Sequence, residues 1–159
     1  YRRAVLDDKV VERTLQPVGI MFSEFYFYLV GFIVPKENEC IKYKVKDDPF
    51  PTIYRIDRIQ DYTVTNEHFH IPYQNRFEEG EFRKRVQFMY GGKLQKIKFY
   101  YKGPNVEAIL DRLPTAKILE HNENGYLVSA EVFGAGIEMW LRSQGEMVEV
   151  VEWSSNKFL

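Results

Sequence analysis

Cysteine is almost missing from this chain: Cys40 is the only one in 159 residues. That excludes an internal disulfide framework and fits a reducing compartment, so a cytoplasmic setting is expected. No apolar run approaches the roughly 20 residues needed to span a bilayer, and no signal-peptide pattern precedes the first strand. No membrane partner is expected. Charge of one sign is missing as well. A formal net charge of -1 gives no global field to gather DNA or an acidic membrane, so any anion binding must come from a local patch. The chain has no nucleophile elbow, no phosphate-cradling glycine loop and no HExxH pattern, so neither catalysis nor a cofactor is expected. His68 and His70 can share one strand face. Without a third and fourth ligand nearby, and with Cys40 and His121 at unsupportive spacing, they fall short of zinc's four-ligand pattern.

What is present is aromatic. Phe, Tyr and Trp make up 16% of the chain, much of it in alternating runs that favour sheet over helix. The length suffices for one medium domain or two small ones. The first half reads as short strands separated by turn chemistry. Residues 1–6 and 10–15 flank Asp7-Asp8-Lys9 as a hairpin, and Pro17 and Gly19 punctuate before the aromatic strand Phe25-Tyr26-Phe27-Tyr28-Leu29-Val30-Gly31-Phe32. Polar loops follow at 35–39 and 47–51, then strand material at 53–59 and 61–64. Several short strands in succession predict a small closed barrel, because closure removes exposed edges.

A charged helix is expected over 78–90, with Phe82, Val86, Met89 and Tyr90 on one face and Gly91-Gly92 ending it. From Lys93 the pattern changes. A strand at 94–102 leads to a helix opened by Pro104 and striped by Val106, Ile109, Leu110 and Leu113. A hairpin follows at 116–120 and 126–133 around Asn122-Glu123-Asn124-Gly125, then a helix marked by Ile137, Trp140 and Leu141, and a strand from Val148. This β-α-β-β-α-β order is the ferredoxin-like split unit. The expected class is α+β, with a small Sm/SH3-like β-barrel over 1–76, a connecting helix over 77–92 and a ferredoxin-like domain over 93–159.

Tyr54-Arg55-Ile56-Asp57-Arg58-Ile59 places two permanent cations three residues apart. On an ideal strand they point to opposite sides, so a bulge or a strand ending near Asp57 is needed for both to reach one ligand. The plainer alternative is that Asp57 pairs with one arginine while water solvates the other. Tyr28 is suited to stacking on a base or donating a hydrogen bond, with a barrel-core position as the alternative. Lys96, Lys98 and Lys102 share a strand face with Tyr100, as in single-strand binding by open sheets. Glu131 and Glu149 on neighbouring strands are expected to cancel that patch through Lys–Glu pairs.

These landmarks together resemble a WYL domain followed by its C-terminal extension. Phe27-Tyr28-Leu29 corresponds to the name-giving Trp-Tyr-Leu triplet, Tyr54 through Ile59 resembles the later arginine motif, and Arg13 through Pro17 the stretch before the triplet. Phe27 replaces the tryptophan and keeps an aromatic that is expected to pack. The resemblance implies an Sm-like barrel acting as a sensor in bacterial transcriptional regulators. It implies a nucleotide-like or single-stranded nucleic-acid effector, bound by Tyr28, Arg55 and Arg58, with Arg13 and Tyr1 added by their place in the pattern. It also implies a helix-turn-helix DNA-binding domain N-terminal to Tyr1, where the chain begins without methionine, and a homodimer formed through the extension. Two other readings remain: a constitutive single-strand-binding module, and a dimerisation domain without ligand.

Overall fold

Alternating aromatic and aliphatic residues build two long antiparallel strands in a computed structural model of the chain, which describes residues 1–2, 10–35, 50–71 and 77–155. β1 (Thr14–Ser23) turns back through Glu24-Phe25 into β2 (Tyr26–Val34), and β2 pairs with the short β3 (Thr52–Arg55). Pro17 has no amide hydrogen to give the ladder, and the register slips between Pro17 and Gly19, so the strand bulges there. Gly31 faces the bulge, where a Cβ would lie 3.0 Å from the Gln16 carbonyl oxygen. Met21 and Val30, 1% and 0% exposed, anchor one face of this sheet.

The first sheet has three strands in the order β1-β2-β3, and no closed barrel forms among the described residues. Residues 61–64, expected as strand, carry no regular structure, and Tyr62 and Val64 are 80% and 82% exposed. Alternation alone does not hold a strand that has no apolar layer to cover. The expected N-terminal hairpin contributes one bridge, Arg2 to Val10. Its turn, most of both polar loops and Cys40 lie outside the described residues. His68 and His70 sit in the exposed, irregular stretch rather than on a strand.

The chain divides into two compact units, Tyr1–Glu79 and Gly80–Leu159. The boundary falls within α1 (Glu79–Arg85), which stops short of the expected Tyr90. Phe88 and Met89 take φ of 51° and 55°, and the Tyr90 amide donates to the Gln87 carbonyl at 3.0 Å to close a tight turn. Tertiary packing accounts for the early stop. Val86 bridges to Phe133, the Phe82 ring stacks on the Phe133 ring at 5.6 Å, and a Cβ added to Gly136 would overlap the Gln87 carbonyl oxygen.

The remaining elements run β4 (Leu94–Tyr101), α2 (Glu107–Arg112), β5 (Lys117–Asn122), β6 (Gly125–Phe133), α3 (Gly136–Ser143) and β7 (Val148–Ser155). Their strands form one antiparallel sheet in the order β5-β6-β4-β7. Alternate residues Ile97, Phe99, Tyr101, Val128, Ala130 and Val132 face the core, which Ile109 of α2, Leu113 just past its end, and Ile137, Trp140 and Leu141 of α3 complete. α2 starts later than Pro104 suggested, after the Asn105 side-chain oxygen accepts the Glu107 amide at 3.0 Å. The β5–β6 turn follows its sequence signal: Gly125 has φ 105°, and Asn122 Oδ1 accepts the Asn124 amide at 2.8 Å. Phe99 is fully buried, so Phe99→Ala is expected to lower the unfolding free energy of this unit by about 3–5 kcal/mol. A urea midpoint that does not move would show that the core is centred elsewhere.

Candidate functional site

The β2–β3 register sets the geometry. Tyr28 lies directly opposite Arg55, and Leu29 opposite Tyr54. Side chains alternate, so Tyr26, Tyr28 and Arg55 share one face of the sheet while Phe27, Leu29 and Tyr54 share the other. The strand then ends at Arg55 and passes into a 3-10 turn, Ile56–Arg58, closed by the Ile59 amide on the Ile56 carbonyl at 3.0 Å. Arg58 is the last residue of that turn, three positions after Arg55. The strand thus ends before Asp57, the condition set by the sequence for both cations to face one ligand.

Arg55 is a positioned cation. Its Nε and Nη2 donate to the two Asp57 carboxylate oxygens at 3.0 and 2.5 Å, and its guanidinium lies 3.5 Å over the Tyr26 ring. The fork with Asp57 raises the Arg55 pKa, and the hydrogen bond from Arg55 holds the Asp57 carboxyl below its ordinary range. The Arg58 guanidinium has no hydrogen-bond or ion-pair partner among the described residues. The plainer alternative therefore describes the resting side chains: Asp57 takes one arginine and the other stays open. Tyr28 ties the group together. Burial raises its phenol pKa, helped by Glu24 and Tyr26, while Arg55 and, more weakly, Arg58 pull it down, so both cations lie within electrostatic reach of the hydroxyl.

Arg13 and Tyr1 are placed elsewhere. Arg13 precedes β1 at the far end of the β1–β2 ladder and donates to the Glu12 carbonyl at 2.9 Å. The Tyr1 ring meets Tyr54 edge-on at 5.0 Å, on the face opposite Arg55. Phe27 does not pack into a core. It is 58% exposed and touches the Phe22 ring at 5.0 Å, because it falls on the face away from Met21 and Val30. Tyr26 is the residue the sequence reading missed. Its signal was its spacing of two from Tyr28, which places both on the arginine side.

The lysine face of the second sheet is largely neutralised. Lys98 pairs with Glu152 at 2.6 Å and Lys102 with Glu149 at 2.7 Å, while Glu131 stands opposite Lys96 in register. No group of three or more metal-binding side chains occurs among the described residues. No helix among the described residues is long and apolar enough to cross a membrane.

No known family model and no characterised protein matches this chain. The Tyr28 geometry carries its own test. The phenol should titrate above the usual tyrosine value of about 10, and Arg58→Ala should push it higher still by removing a charge that favours the phenolate. Tyrosine ring-carbon NMR reads the shift; a Tyr28 titration unchanged by the substitution would remove Arg58 from the cluster.

Proposed function

We propose that the chain is the effector-sensing part of a WYL-type bacterial transcriptional regulator, in which Tyr28, Arg55 and Arg58 bind a nucleotide-like or single-stranded nucleic-acid anion. The observation that carries this reading is that Tyr28 stands directly opposite Arg55, β3 ends there before the turn to Arg58, and both arginines act on the Tyr28 phenol electrostatically. Asp57 holds Arg55, and the Arg58 guanidinium has no hydrogen-bond or ion-pair partner among the described residues, which suits it to the single charge of a phosphodiester. Glu24 is the acid that opposes the two arginines at the Tyr28 phenol. Tyr26 stiffens Arg55 from beneath, so less side-chain freedom is lost on binding. Exposed Phe25 at the hairpin tip, 84% accessible, adds a ring on which a base can stack. The first sheet is read here as part of a small Sm-like barrel, and the order β5-β6-β4-β7 supports a ferredoxin-like second unit.

Sensing requires that the ligand bind two states of the parent protein with different affinity, the output passing to a DNA-binding domain outside this chain. A second reading, self-association through the second unit, draws support from its edge strands. Ile118 and Leu119 of β5, and Val150, Val151 and Trp153 of β7, are apolar and at least 39% exposed, and unpaired edges of that kind seek partners.

Against a fluorescent single-stranded oligothymidylate, Arg55→Ala and Arg58→Ala are each expected to weaken binding by about tenfold or more, the scale of a lost charge-assisted hydrogen bond. Arg142→Ala serves as the control. It removes an exposed cation that pairs with Glu138 at 2.7 Å in the second unit, and it should leave the anisotropy titration unchanged. Full affinity in both arginine variants would refute the site.

A further inference from the structure

Residues 61–65 of the first unit carry strand chemistry without a strand partner. Asp61-Tyr62-Thr63-Val64-Thr65 alternates β-prone apolar side chains with threonines. The stretch holds no turn or bend, and all five residues are exposed. Tyr62 and Val64, 80% and 82% accessible, are two positions apart and would share one side of an extended backbone. No backbone group in the stretch bonds to another backbone group among the described residues. We propose that this segment pairs antiparallel with the same segment of a second copy of the chain, forming a short ladder about a two-fold axis at Thr63.

The segment is complementary to itself in one register. With Thr63 opposite its own counterpart, Tyr62 of each copy meets Val64 of the other, and Asp61 meets Thr65. That sets an aromatic–β-branched pair on each side of the axis and opposes no like charges. Each copy supplies the apolar neighbours that the other lacks. A ladder centred on Val64 instead places Asp61 opposite Glu67, two carboxylates face to face, and one centred on Tyr62 leaves Val64 against Gln60. Open backbone of this kind is a template for strand addition. An isologous contact matches it from a single sequence, whereas an unrelated strand would need its own fit to these side chains.

One contact fixes the phase of the ladder. The Tyr62 amide already donates to Asp61 Oδ1 at 2.8 Å. Opposed residues in an antiparallel pair alternate between exchanging both backbone bonds and exchanging none. Thr63 and Thr65 are therefore the bonding positions, and Tyr62–Val64 is the close, non-bonded pair, with Cα atoms about 4.5 Å apart. A two-stranded ribbon is marginal in water, and five residues a side bury far less than the roughly 1,200 Å² of a stable interface. The contact is thus a weak, transient one. Asp61 lies three residues past Arg58, but the ladder uses no atom of that arginine, so pairing does not depend on the anion site.

Disulfide trapping of the full chain in a Cys40→Ser background tests the register, Cys40 being the only native thiol. Chains carrying Tyr62→Cys are mixed with chains carrying Val64→Cys under mild oxidation, and the dimers are told apart by mass. Mixed dimers should form about tenfold or more faster than either like dimer. The opposed pair lies within disulfide range, while two Tyr62→Cys positions stand diagonally, about 7–8 Å apart. Each mixed dimer also keeps one Tyr62–Val64 pair. Thr63→Glu added to both chains sets two carboxylates together on the axis and should erase the preference, whereas Arg58→Ala should leave it intact. In NMR of the unsubstituted chain, dilution should move the Thr63 and Thr65 amides more than those of β1 or β7. Like and mixed dimers in statistical proportion, or dilution shifts confined to β1 or β7, would overturn the ladder without touching the arginine site.

Discussion

The fork between Arg55 and Asp57 is the constraint on which the first site rests. It forms where β3 gives way to a 3-10 turn, so one carboxylate both fixes a guanidinium and marks the point where the backbone changes course. Had the strand continued, Arg58 would face away from Arg55 and the phenol of Tyr28 would lie near a single cation. The turn replaces a period of two with a period of three just past Arg55. Tyr26 adds the second restraint, a ring beneath the guanidinium that limits its rotamers.

The two units treat charge differently. In the first, Asp57 holds Arg55 beside the Tyr26 ring, and Glu24 acts against the two arginines at the Tyr28 phenol. In the second, sheet-face lysines meet glutamates across strands, Lys98 with Glu152 and Lys102 with Glu149, so that surface is close to neutral. Exposed pairs of this kind contribute little stability each. Their effect is to keep a lysine-rich face from acting as a general polyanion surface, which argues against constitutive strand binding there.

Several elements could be read from neighbouring residues. The turn at Asn122–Gly125 and the stripe of Ile137, Trp140 and Leu141 stand close to where their local chemistry placed them, because turn type and helical period are short-range properties. The β1–β2 turn was not legible. It uses Glu24-Phe25, with Glu24 at φ 55°, a conformation usually marked by glycine or asparagine. α1 carried a helical pattern through Tyr90, yet it ends where Phe133 and Gly136 compete for Val86 and Gln87. Phe27 looked like a packing residue by type, and its exposure follows from which face Met21 and Val30 occupy.

Composition and spacing alone established an α+β chain rich in antiparallel strand, with one cysteine, little net charge and an Arg-x-x-Arg pair as the feature to explain. Those are sums and short-range periods, readable one segment at a time. Which residues share a face with Arg55, which ring lies against it, and which lysines meet glutamates depended on strand register and on where a strand stops. Both are fixed by contacts between residues far apart in the chain, because a strand's pairing free energy comes from its neighbours rather than from its own sequence.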